Sequence, residues 1–334
     1  MIRRLSFFSV VFLFCSCVGL KYKTTFERKK GEPKHARGVF VNDNFIVTSG
    51  YEGRVSISSS DRVQFSVYKI DSLEDFRDVC FLDNHVIAMN SGNLGQIWKF
   101  NPEKKSKQIV FNRDSVFLDG MDFNENRQGA AFGDPINNKL TVLLSANNGD
   151  SWYLCNSEAL PFVQEGEAGF AASGSGIKVF DDGTIYIGTG GGAVANLYVS
   201  EDFGKSWKVI PTPMKSGGSY GIYSMYFWSK NEGVVIGGSY EHQNDTEKIC
   251  FLTKDGGHSW EDISQGLPGY CSSVNGTTGG ELIFASGRNG VYYSKNKGKK
   301  WEQLWREPYY SIAVHKEKIV FSGKNGKLRI IDLQ

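Results

Sequence analysis

Short apolar strands recur along the chain, and clusters of Gly, Asn, Asp and Ser interrupt them every few residues; "GVVIGG" and "LIFASG" are examples, rich in small residues. Strands bounded by turn residues are the reading this pattern supports. No segment sustains an apolar repeat of 3.6 residues with caps, so helices are expected to be minor.

The strands come in repeated units. An octamer, "SANNGDSW", "SEDFGKSW", "TKDGGHSW" and "SKNKGKKW", ends at Trp152, Trp207, Trp260 and Trp301, so its copies stand 55, 53 and 41 residues apart. That is the length of a four-stranded propeller blade. Inner strands line up as "RGVFV" at 37, "RDVCF" at 77, "DGMDF" at 119, "EAGFA" at 167, "YSMYF" at 223, "YCSSV" at 270 and "YSIAV" at 310. The fold class expected is therefore all-β, a seven-bladed β-propeller over residues 36–334. The last unit holds only three strands, and "KYKTTFER" near the N-terminus is expected to supply the fourth and close the ring.

The octamer falls between third and fourth strands, where a hairpin turn belongs. Asn147, Asp202, Asp255 and Asn296 can accept from backbone amides nearby. Gly149, Gly204, Gly257 and Gly298 suit positive φ, and each tryptophan can bury its ring under the turn. A calcium loop would need alternating oxygen ligands ending in Glu, which these stretches lack. The octamer therefore reports the fold, and function must be sought elsewhere.

Composition agrees: among 334 residues, Gly 39 against Pro 8 and 13% aromatics suit a turn-rich β protein. The first residues, "MIRRLSFFSVVFLFCSC", read as a secretion signal too short to span a bilayer. Ser16-Cys17 has lipobox character, so cleavage before Cys17 and lipidation of its sulfur are expected. This divides the chain into a signal peptide (1–16), a lipid-anchored tether with closing strand (17–35) and the propeller. It also places the protein in a bacterial envelope, periplasmic or at the surface. The formal charge of +2 comes from Arg3 and Arg4 within the signal, leaving a neutral mature chain and no argument for nucleic acid. Cys80, Cys155, Cys250 and Cys271 form no CxxC pair, so buried thiols are expected.

Propeller ligands bind where inner strands begin. The alignment brings Arg37, Arg77, Asp119, Glu167, Tyr223, Tyr270 and Tyr310 to that mouth. Arginines grip carboxylates in bidentate fashion, although these could equally pair with the acids. A protein or peptide is the partner expected, with a glycan as the alternative, and the membrane is reached through the anchor. Arg37, Arg77, Arg288, Tyr310, Glu167 and Asp119 could instead be drafted into a sialidase site, and Asp119 or Asp134 with Glu167 into a two-carboxylate glycosidase. The chain reads "HARGVF" where sialidases start with Phe-Arg-Ile-Pro. "FGDP" (132–135) reads as a loop beside the mouth or a structural turn. "IYIGTGGGAVANLYVS" lacks the following helix that a phosphate loop needs. Scattered His35, His85, His242, His258 and His315 give no metal spacing, so neither cofactor nor metal is expected.

The octamer resembles the Asp-box, or bacterial neuraminidase repeat, which in its families lies on the outer rim away from the active site. Further stretches, "DFRDVCF", "FLDGMDF", "FGDP", "EGEAGFAASGSG", "GTGGGAVANLYVSEDFGKSW" and "PTPMKSGGSYGIYSM", resemble a family of bacterial envelope propellers called oxidoreductase or glycosyl hydrolase-like. These are similar to the assembly-factor propellers of photosystem II. The resemblance runs from about Arg37 to Trp260. It implies a seven-bladed Asp-box propeller without an assigned reaction. In the assembly factors an arginine patch receives a partner's peptide, and the match here covers Arg37 and Arg77 only.

Overall fold

The structure is a computed structural model that describes residues 19–71 and 75–334. The signal peptide and Cys17 lie outside the described residues. Seven four-stranded antiparallel sheets make up the fold. Their inner strands are Gly38–Val41, Phe76–Leu82, Leu118–Phe123, Ile177–Val179, Tyr220–Phe227, Cys271–Gly276 and Ser311–His315, for blades 1 to 7 in order. The helices among the described residues are three short 3-10 turns, and none is long and apolar enough to cross a membrane. Tyr22–Arg28 supplies the outer strand of blade 7, pairing antiparallel with Leu328–Leu333, so first and last strands close the ring.

Period-two alternation explains why the blades stack. In the second strand of blade 1, Ile46 faces blade 7 while Val47 faces blade 2, each fully buried. Repeated around the ring, this gives seven apolar clusters, one between each pair of neighbouring blades. No blade has a complete core of its own.

Four octamers build four copies of one turn between third and fourth strands. The leading hydroxyl of Ser145, Ser200, Thr253 or Ser294 accepts the glycine N–H at 3.1, 2.7, 2.8 and 2.9 Å respectively. The Asn or Asp Oδ1 accepts the N–H four residues on, at 3.1, 2.9, 2.8 and 2.9 Å. Two successive residues take positive φ in each, as in Phe203 (54°) and Gly204 (82°), which is why glycine follows. Each tryptophan enters the cluster shared with the preceding blade, so the turn also clamps two blades together. Trp301 donates its indole N–H to the Ile263 carbonyl at 3.0 Å, whereas those of Trp152 and Trp260 face no acceptor among the described residues.

The fourth inner strand is not the predicted one. Residues 167–171 form no strand; Ile177–Val179 takes that place. "FGDP" is likewise no loop, since Phe132, Gly133 and Asp134 lie within the strand Gly129–Ile136 and Phe132 is fully buried.

Candidate functional site

The displaced stretch, residues 164–176, crosses the end of the channel and fills it. It is tied down at its start by Glu167, whose carboxylate accepts from Thr189 Oγ1 (2.6 Å), Asn196 Nδ2 (2.9 Å) and the Gln164 N–H (2.8 Å). Gly190 bridges Ala168 on one side and Gly221 on the other; a Cβ there would lie 2.4 Å from the Gly221 Cα, so the close approach requires glycine. Further on, Ser173 donates to the Ser272 carbonyl at 2.7 Å, Ser175 shares a hydroxyl bond with Ser224 at 2.6 Å, and its carbonyl accepts Met225 N–H at 2.8 Å. "AASGSG" is thus a plug of small residues, narrow enough for the channel axis.

Above the plug lies a cavity of about 360 Å³. Its floor is Phe170, Ala171 and Ala172, and Arg37, Arg77, Tyr223, Tyr270 and Tyr310 stand in its wall together with Arg288, Tyr240 and Ser272. Five of the seven predicted mouth residues therefore meet. Arg288 and Tyr240 sit just after second strands of their blades, in loops whose approach to the mouth no spacing signals. Phe170 arrives with the plug.

Asp119 and Glu167 do not reach this cavity, a correction with a clear cause. Glu167 belongs to the plug's root and is consumed by its three donors. Asp119 is 1% exposed beneath Gly169, where a Cβ would lie 2.2 Å from Oδ2. Burial, then the nearby Asp134 carboxylate, pushes its carboxyl well above the usual range, and Oδ2 has no hydrogen-bond partner. Among the described residues lining the cavity there is no carboxylate, so Asp119 and Glu167 do not form the acid pair a glycosidase would set across it. Tyr223 donates to the Ser219 carbonyl at 2.7 Å, and burial raises the hydroxyls of both Tyr223 and Tyr270.

The site is cationic. Arg37 donates to the Ala172 carbonyl at 3.0 Å, lies over the Tyr310 ring at 4.5 Å, and keeps an unpartnered Nε. Arg77 pairs with Asp75 at 2.8 Å and reaches the Ala171 carbonyl at 3.4 Å. Arg288 is exposed and forms no ion pair with the described residues. Among the described residues, three guanidinium groups thus face one carboxylate. The aromatic faces are largely occupied: Phe170 stacks on Tyr223 with centroids 4.0 Å apart, Tyr270 sits edge-on to Tyr223 at 4.8 Å, and Arg37 covers Tyr310.

No known protein-family profile matches the chain, and no curated protein does. Among solved structures, that of U3-55K is similar with a TM-score of 0.65 and 13% identity, covering 94% of this chain and 98% of that one. The WD40 repeats of RRP9 give 0.63 and 12%, with the same coverage of both chains. At such identity the likeness is one of fold: a seven-bladed propeller.

Proposed function

We propose that this chain is a binding propeller whose plugged channel mouth receives an acidic segment of a protein partner. The observation that carries the reading is the excess of guanidinium groups among the described residues, Arg37, Arg77 and Arg288 against Asp75, around a blind cavity. Bidentate arginines favour carboxylates, and the half-desolvated setting strengthens the contact. The WD40 propellers it resembles in fold support a role in protein interaction, and the plug's two carbonyls already show the arginines gripping main-chain oxygen. A glycan reader would present open aromatic faces, and most of those here are covered. Lipidation of Cys17, an envelope location, and kinship with the Asp-box propellers near the photosystem II assembly factors complete the proposal.

Crosslinking in intact envelopes tests it, comparing wild type with an Arg37→Glu, Arg288→Glu variant that leaves the Arg77–Asp75 pair intact. A partner captured by wild type, lost by the variant, and competed by a peptide from its own acidic segment is the expected result. Equal capture by both chains would reassign these arginines to structure.

A further inference from the structure

The place where the chain joins the propeller is fixed on one face. Leu20 packs between blades 6 and 7, the Lys21 carbonyl accepts Gln334 N–H at 3.2 Å, and Trp305 donates to the Tyr22 hydroxyl at 3.1 Å. In blade 7, Arg28 pairs with Leu328, Leu328 with Ser322, and Ser322 with Ser311, which begins the inner strand at the mouth. Tyr22, at the other end of its strand, pairs with Leu333 and so lies on the face opposite the mouth. The octamer turns lie on that face too, where they bond the turns between first and second strands: Asn148 to Arg127, Phe203 to Gly183 and Gly256 to Asn231.

The blade 6 octamer stands beside this junction, since Tyr293, immediately before it, shares a cluster with Leu20. Its turn uses Ser294, Asn296, Gly298 and Trp301. All four remaining positions are lysine: Lys295, Lys297, Lys299 and Lys300. The other octamers carry at most one, Lys205 or Lys254, and form the same turn. Geometry therefore does not ask for these lysines. Lys297 pairs with Glu232 at 3.2 Å and Lys300 with Glu302 at 2.9 Å, and exposed Lys21 and Lys23 lie nearby in sequence to the junction.

We propose that this lysine-bearing face rests on anionic lipid headgroups, holding the arginine mouth away from the bilayer. The inference rests on the reading of Cys17 as the anchor. Cys17 lies three positions before Leu20, a reach of about 10 Å, close to the screening length of about 8 Å at physiological salt. Lysines held at the junction thus stay within the membrane's surface potential, and a basic patch beside a lipid is a two-signal anchor.

The test uses the full chain, lipidated, on phosphatidylglycerol vesicles carrying a headgroup quencher, with a dye at Lys299→Cys or at Arg288→Cys. Quenching roughly threefold stronger at position 299 is expected, falling with salt and with a Lys295→Gln, Lys297→Gln, Lys300→Gln background. Equal quenching at both positions, or stronger quenching at 288, overturns the orientation. Palmitate incorporation into wild type but not Cys17→Ser tests the anchor separately. If no lipid is attached, co-sedimentation with phosphatidylglycerol vesicles decides: roughly tenfold weaker binding by the triple Gln variant supports the lysine face, and unchanged binding overturns it.

Discussion

The two ends of this propeller are built on different rules. At the octamer end, one local hydrogen-bond pattern recurs in four blades, and three of its turns bond the turn between first and second strands in the same way. At the mouth end unlike parts combine: a plug from between blades 3 and 4, a loop arginine from blade 6 and a paired arginine from blade 2 make one cavity. The carboxylates reflect this. Hydrogen bonds from Ser259 lower Asp255, and in Asp202 those from Ser206 outweigh the cost of burial. Around the plug, burial raises Asp75, Asp78, Asp119 and Asp134. Repetition makes a scaffold at one end, and departures from it gather polar groups at the other.

The largest expected effect lies at the octamer end. Trp301→Ala removes a ring that is 6% exposed and its bond to Ile263, and is expected to cost about 3–5 kcal/mol; urea unfolding reads this. Trp260→Ala, whose ring is only partly buried and whose N–H has no acceptor, should cost clearly less. Equal losses would mean the octamers are not graded by burial.

The pH dependence separates the ends next. Asp78, held against Gly174 of the plug, is raised to about 8 by burial, despite N–H donors from Val79 and Met121. Its folded pKa exceeds the unfolded one, so between about 4 and 8 the folded state binds the extra proton. Stability should therefore fall as pH rises through that window, by at most about 1.4 kcal/mol per unit from this group. The lowered octamer acids act oppositely, contributing stability above their unfolded values that is lost as pH falls through the folded ones. Denaturation across pH should show Asp78→Asn flattening the neutral slope; an unchanged slope would remove Asp78 from the account.

The smallest effect compares two mouth arginines. Arg77→Ala strips the half-buried Asp75 of its partner, and about 1–2 kcal/mol of destabilisation is expected after allowing for solvent screening. Arg288→Ala, exposed and without an ion pair, should stay within about 0.5 kcal/mol while weakening capture of an acidic partner. Thermal melts and the crosslinking assay together check both.

Six of the seven inner strands were legible, because an alternating strand flanked by turn residues is a local signal. "EAGFA" imitated that signal and is the plug's root instead. What betrays it is steric: Gly169 against Asp119 and Gly190 against Gly221 are contacts between residues far apart in sequence. The same holds for the site. Arg37, Arg77, Tyr270 and Tyr310 were placed because each stands at or beside the start of an inner strand, and Tyr223 because it lies at the bulge within its own, where register fixes such positions. Asp119 shares that register, yet the plug buries it, while Arg288 and Phe170 enter from elements that carry no register to the mouth.

The sequence by itself determined the seven blades, the octamer turns and the closing strand, since each depends on hydrogen bonds and alternation within a few residues or on a repeat length. Only the tertiary structure decided that the channel is plugged, which charges share the mouth, and which face the N-terminal junction occupies. Those follow from how separate segments fill one axis, and packing between distant residues leaves no period in the chain.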